Sequence, residues 1–216
     1  MSAARLVSIH VGKVAPLGPE RVPSAIVKTR LPGRAMIGES GLVGDEQADP
    51  RVHGGPEKAV YGYARRHYAD WARDFPEHAG KFAPGGVGEN LSIDGIDEET
   101  TCVGDIHAIG GALLQVCQPR EPCFKFALLF GDSRLVRAMV KSGRAGWYYR
   151  VLQEGEVGAG DAVRLHARPN PDFSFARLVA ILSGRDATAE ECARLADMEG
   201  LARRLRTMAR RGFKGE

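Results

Sequence analysis

Residues 112–125 read Ala112-Leu113-Leu114-Gln115-Val116-Cys117-Gln118-Pro119-Arg120-Glu121-Pro122-Cys123-Phe124-Lys125. The first six form a short apolar run that predicts a buried strand. Phe126 to Phe130 reads as the start of a helix. Between them two prolines fix the backbone and remove two amide donors. Cys123 is left between the positive charges of Arg120 and Lys125. Nearby cations favour a thiolate, which is both a nucleophile and a metal ligand.

Outward from this stretch, short strands alternate with glycine punctuation. Leu6 to Val11 predicts a first strand and Ser24 to Leu31 a second, with others at 59–63, 91–93, 147–151 and 162–167. The rhythm predicts a mainly β fold, a barrel with flanking helices, over residues 1–168. Tyr68, Trp71, Ala72 and Phe75 have helical spacing. Leu135, Val136, Met139 and Val140 mark another helix, begun by Asp132 or Ser133 and stopped by Gly143. After the linker-like Arg168-Pro169-Asn170-Pro171-Asp172, residues 173–212 predict a small appendage of three helices. Thr188 to Glu191 supplies a capping box for the second, and Gly200 ends it. Three such helices bury little alone, so they are expected to pack on the barrel or on a second copy of it.

Composition narrows the class. The 216 residues are 44% hydrophobic and 26% charged, ordinary values for a soluble globular protein. No apolar run is long enough for a membrane span, and the first residues lack signal-peptide order. Cys102, Cys117, Cys123 and Cys192 lie far apart, against a zinc site or a disulfide framework. A reducing, cytoplasmic setting is expected. The formal net charge of +3 is concentrated at the end, where Arg203, Arg204, Arg206, Arg210, Arg211 and Lys214 face Glu216 alone. With only Phe213 interleaved, this tail reads as a solvated helix face and not a nucleic-acid surface.

Three loops carry candidate chemistry. Residues 44–58 hold Asp45, His53, Gly54, Gly55 and Lys58; the two glycines permit close backbone approach to a ligand. Residues 84–91 present Glu89 and Asn90, which also read as a capped tight turn. Residues 143–146 set Arg144 among glycines, within reach of a phosphate. With Lys28, Arg120 and Lys125, the chain offers one poised thiol and dispersed cations. No Ser-His-Asp order, shared carboxylate pair or metal cluster is visible. A thiolate with phosphate-binding cations fits an anionic cofactor whose metal takes sulfur.

Gly44-Asp-Glu-Gln-Ala-Asp, His53-Gly-Gly-Pro-Glu-Lys-Ala, Gly88-Glu-Asn-Leu, Gln118-Pro-Arg-Glu-Pro-Cys-Phe-Lys and Gly143-Arg-Ala-Gly-Trp-Tyr-Tyr-Arg-Val together resemble the MOSC domain, named for the C-terminal domain of molybdenum-cofactor sulfurases. The motifs run in the family's order across roughly residues 5–168. The chain is most similar to the stand-alone bacterial branch linked to hydroxylaminopurine resistance, in which a small three-helix domain follows.

The resemblance implies a MOSC β-barrel that binds the molybdenum cofactor, molybdopterin carrying Mo, with Cys123 as the thiolate ligand to the metal. It implies reduction of N-hydroxylated compounds, N-hydroxylated nucleobases among them, with electrons from a flavoprotein or other reductase. On that basis Lys28, Lys58, Arg120, Lys125 and Arg144 are expected to hold the cofactor. His53, Asp45, Glu89 and Asn90 are expected at pterin hydrogen bonds or in proton delivery. Gly54 and Gly55 are expected to allow its close approach. The helical appendage, which needs a surface to pack on, adds a homodimer to the expectations. Two rival functions share the same residues: a carrier of persulfide sulfur on Cys123, supplied by a separate desulfurase, and a non-catalytic module for a phosphorylated ligand or acidic partner. Cys102, Cys117 and Cys192 read as small buried hydrophobes.

Overall fold

The computed structural model describes residues 3–50 and 54–213. Its centre is β10 (Ala112–Pro119), whose side chains are almost all buried. One ladder builds outward from it on each side. On one side lie β9 (Ile106–Ile109) and β13 (Val163–Ala167); on the other lie β11 (Trp147–Gln153), β7 (Val60–Ala64), β8 (Leu91–Asp94), β1 (Arg5–Val11) and β4 (Thr29–Arg30). The order is β13-β9-β10-β11-β7-β8-β1-β4. Its pairs are antiparallel except β7 with β8. A parallel pair needs a crossover, and here it carries α1 (His67–Asp74) and a 3₁₀ turn, Pro76–Lys81.

Smaller sheets flank this one. β5 (Arg34–Gly38) pairs with β6 (Gly41–Leu42) and with β12 (Gly155–Gly158), and β2 (Ala15–Leu17) pairs with β3 (Val22–Ser24). β12 is a strand despite its two glycines, because it lies along β5 in register from Gly155 opposite Ile37 to Gly158 opposite Arg34.

Two expectations need correction. The ladder does not close into a barrel. The β13 end meets the start of β1, the strand next to the other end, only through an isolated bridge, Arg5 to Ala162, and bonds such as Val163 N to Ala4 O at 2.9 Å. On the far side β4 is two exposed residues, too short to carry the ladder onward. Nor is 24–31 one strand. It breaks after Ser24, because the chain turns inward against Gly12. A Cβ on Gly12 would stand 2.1 Å from the Ala25 carbonyl oxygen. That break makes residues 24–28 a cavity wall.

Two buried clusters hold the fold. One side of the sheet carries Tyr61, Tyr63, Trp71, Phe82, Phe126 and Phe130, which join α1, α2 (Phe124–Phe130) and α3 (Arg134–Ser142). α3 ends at Gly143 in the left-handed conformation, as its sequence predicts. The other cluster runs from Leu114, Val116 and Trp147 into α4 (Phe175–Leu182), α5 (Ala189–Ala196) and α6 (Arg203–Arg210) through Phe175, Leu178, Leu195 and Leu205. The Thr188–Glu191 capping box is present. Backbone bonds also tie these helices to the sheet: Phe175 N to Thr101 O at 2.8 Å and Ala202 N to Cys117 O at 2.9 Å. The last three helices therefore share the core of the sheet.

Candidate functional site

β10 stops at Pro119, and Cys123 begins α2 in extended backbone conformation. Between them the Arg120 side chain turns inward. Its guanidinium lies 5.1 Å from the Tyr61 ring centroid and 4.8 Å from that of Phe126, and it donates to the Val87 carbonyl. A delocalised, weakly hydrated cation tolerates such burial better than an ammonium would.

The inward wall at 24–28 delivers Lys28. Its Nζ sits 2.6 Å from Asp45 Oδ1, with both side chains nearly buried. Burial lowers the Lys28 pKa, and the Asp45 charge opposes that shift. Asp45 accepts two further bonds, from Gly12 N at 2.6 Å and Asn90 Nδ2 at 2.8 Å. Asn90 in turn accepts from Tyr61 N at 3.0 Å, which ties this group to β7. Lys58 stands 5.9 Å from the Tyr148 ring centroid; burial lowers its pKa, and the Arg204 charge adds to the effect. Lys125 donates to the Pro23 carbonyl at 3.0 Å.

Lys28, Asp45, Lys58, Asn90, Arg120, Cys123 and Lys125 all line one cavity of about 100 Å³. Cys123 is half-buried there and interacts electrostatically with Lys58, Arg120 and Tyr148. Tyr61 and Tyr148, with ring centroids 5.1 Å apart, complete the wall. Burial raises both phenol pKa values. These tyrosines had read only as strand residues. For Tyr61 the signal in the sequence was a hydroxyl at a buried strand position, which needs a partner. Tyr61 finds one in the Ala145 carbonyl at 2.8 Å.

Other expected members lie elsewhere. Arg144 is paired with Asp74 and stacked 4.6 Å from the Trp71 ring centroid, beside a separate hollow lined by His67 and Glu98. The flanking glycines free its backbone, but the nearby carboxylate decides where the guanidinium goes. Glu89 is fully buried and accepts from Tyr68, Gly85, Val87 and Ser92, so it braces its own turn. Gly54 packs on Gln47, where a Cβ would stand 1.8 Å from Oε1; Gly55 has φ 86° and does not line the cavity. Its glycine serves the turn. His53 lies outside the described residues. Glu77, His78 and Asp132 do converge into a group of metal-ligand type, but Arg134 bonds both carboxylates.

Sequence reading also missed Glu57. Its carboxylate accepts from Arg203 N at 2.9 Å and Arg150 Nη2 at 2.7 Å. Its carbonyl accepts from Gln118 Nε2 at 2.8 Å. Ala202 offers α6 no side-chain cap, so Glu57 caps that helix from across the chain. The same helix turn carries Arg204, paired with Glu121 on the cavity wall. The C-terminal helices thereby clamp both segments that carry Lys58 and Cys123.

The family model described as the MOSC domain matches residues 49–164. The chain belongs to the MOSC family. It is 40% identical to Protein YiiM of Escherichia coli (strain K12), over 97% of this chain and 93% of that one. A crystal structure of YiiM from Geobacillus stearothermophilus superposes with a TM-score of 0.79 at 30% identity, covering 98% of this MOSC chain and all of that one. A protein named Reductase from Gibberella moniliformis is 35% identical over 88% of this chain, which spans 35% of that longer protein. Among the described residues no helix is long and apolar enough to cross a membrane.

Proposed function

We propose that this MOSC protein is a molybdenum-cofactor-dependent reductase of N-hydroxylated compounds. One observation supports the reading most: a single thiol shares its cavity with four cations, Lys28, Lys58, Arg120 and Lys125. That donor set fits the cofactor. A thiolate suits a soft metal, and clustered cations suit a phosphate. The enclosed space of about 100 Å³ is below the roughly 300–1,000 Å³ usual for small ligands. A pterin therefore also needs the open mouth. The MOSC fold and the relative named Reductase are in keeping with this reading.

In the reaction, an N–OH group takes up two electrons and two protons, the N–O bond breaks, and an N–H compound and water leave. The bound cofactor supplies the two-electron exchange, and a flavoprotein or other reductase supplies the electrons. Cys123 would hold the metal. Arg120, fixed between two rings, and Lys125 would hold the phosphate. Asp45, immobilised by three donors, orients the Lys28 ammonium. Burial lowers the pKa of Lys28 and Lys58, so each releases a proton to a bound group more readily than an exposed lysine. Tyr61 and Tyr148 keep their protons.

The test is metal and pterin analysis of protein made in a host that synthesises the cofactor, with N-hydroxylated substrate and an electron donor supplied afterwards. Molybdenum near one per chain and N–OH reduction are expected. A metal-free protein with a persulfide on Cys123, seen by mass spectrometry, would overturn the reading in favour of sulfur transfer.

A further inference from the structure

We infer that the hollow beside Arg144 binds a small zwitterion of the amino-acid type, with its carboxylate on Arg144 and its ammonium on His67. The hollow measures about 300 Å³, at the lower edge of the roughly 300–1,000 Å³ usual for small ligands. Among the described residues it shares none of its lining with the Cys123 cavity, so the inference stands apart from the reductase reading. Two polar atoms of its lining residues, His67 Nδ1 and Arg144 Nη1, are buried and have no hydrogen-bond partner among the described residues. His67 as a whole is only 7% exposed. Such orphans are few in native proteins, and each is unfavourable until a partner supplies the bond.

The two atoms suit opposite ends of a ligand. Glu98 accepts from Gly146 N at 2.7 Å through one oxygen and lies 2.6 Å from His67 Nε2 through the other. With Glu98 the acceptor in both, Nε2 carries the ring proton and Nδ1 is left as an acceptor. Arg144 gives Nη2 to Asp74, and its Nη1 can only donate. The charges of both residues act on Asp70, which lines the same hollow, so the three stand close together. Asp97 is already committed to Arg66 and to the amides of Glu99 and Thr100, both at 3.0 Å. Lys141 and Arg185 stand with Glu99 at the exposed rim. A wall so evenly mixed in charge repels a dianion or a bare cation about as much as it attracts it. A ligand with one charge of each sign finds a counter-charge at both ends. Val140, Ala176 and Val179 add an apolar strip for an aliphatic side chain. Arg66, Lys141 and Arg185 are long and exposed, so rotamer changes alone can widen the hollow toward the two buried atoms.

The test is calorimetric titration of the native chain with L-leucine, with isocaproate, which lacks the ammonium, and with isoamylamine, which lacks the carboxylate. L-leucine is expected to bind with a Kd of about 1 mM or tighter, and each single-charge analogue at least about tenfold more weakly. Arg144→Met keeps an apolar stem beside Trp71 and removes the donor, and is expected to weaken L-leucine at least about tenfold. Ala180→Glu, at a half-buried position of α4 on the wall of the hollow, sets a carboxylate against that of the ligand and should do the same. It keeps the test available should Arg144→Met not fold. Cys123→Ser is expected to bind L-leucine as the native chain does. No binding of L-leucine by the folded native chain, equal binding of isocaproate, or native-like binding by folded Ala180→Glu would overturn the inference. So would loss of binding in Cys123→Ser, which would place the ligand in the other cavity.

Discussion

Cys117 and Cys123 stand six residues apart in the chain and in opposite chemical settings. Cys117 lies inside the β10 ladder, fully buried, with its Sγ 3.0 Å from the Glu57 carbonyl oxygen. Burial pushes its thiol up to about 12. Cys123 lies past the two prolines, half-buried, on the wall of a cavity that also holds four cations. A buried strand excludes the water and the charges that make sulfur useful; a strand end beside a cleft admits both. The difference comes from where the ladder stops.

The largest expected effect is on metal. Cys123→Ser is expected to lower molybdenum from near one per chain to near none with an unchanged circular dichroism spectrum, while Cys117→Ser retains it. Equal retention in both variants, read by elemental analysis, would break the comparison. Next comes thiol modification. At pH 7.5 the Cys117 thiolate is on the order of one in ten thousand or fewer. Iodoacetamide followed by peptide mapping should label Cys123 in the native protein and Cys117 only after denaturation.

The third effect probes the buried half of the sheet. His107, opposite Leu114 on β9, is pushed down to about 4 by burial. The folded ring resists the proton that the unfolded ring accepts below about 6.5, so stability is full above that pH and falls as pH drops toward 4. The loss is about 3 kcal/mol. Urea unfolding from pH 7 to 4 should show it, and His107→Gln should flatten that part of the profile. The smallest effect is at the clamp. Glu57→Ala removes the α6 cap and the Arg150 partner, at a cost of about 1–2 kcal/mol in chemical denaturation. A Glu57→Gln variant, which keeps an acceptor, should recover part of it.

The strand from 112, the helix after Cys123, the Gly143 stop and the Thr188 capping box were legible because each follows from local periodicity or a local hydrogen bond. That Asp45, Lys58, Asn90 and Arg120 gather with Cys123 was legible mainly through motif resemblance; Lys28 lies outside every motif and joins them through the inward wall at 24–28. Residues scattered over about a hundred positions carry no local sign of meeting. Arg144 shows the opposite case. Its motif was in view, but Asp74 and Trp71 come to it from α1, and no pattern near 144 announces them. Glu57 was hidden for the same reason, since its partners lie on β11 and at the start of α6.

By itself, then, the sequence determined the family, the element rhythm and the choice of Cys123 as the thiol beside the cations. These depend on side-chain periodicity, proline chemistry and motif order, all read along the chain. Tertiary structure alone decided that the sheet stays open, that the chain breaks after Ser24 to make a wall, and which cations face Cys123. Those outcomes turn on edge length, a close approach at Gly12 and competing carboxylates, which exist only when distant segments are brought together.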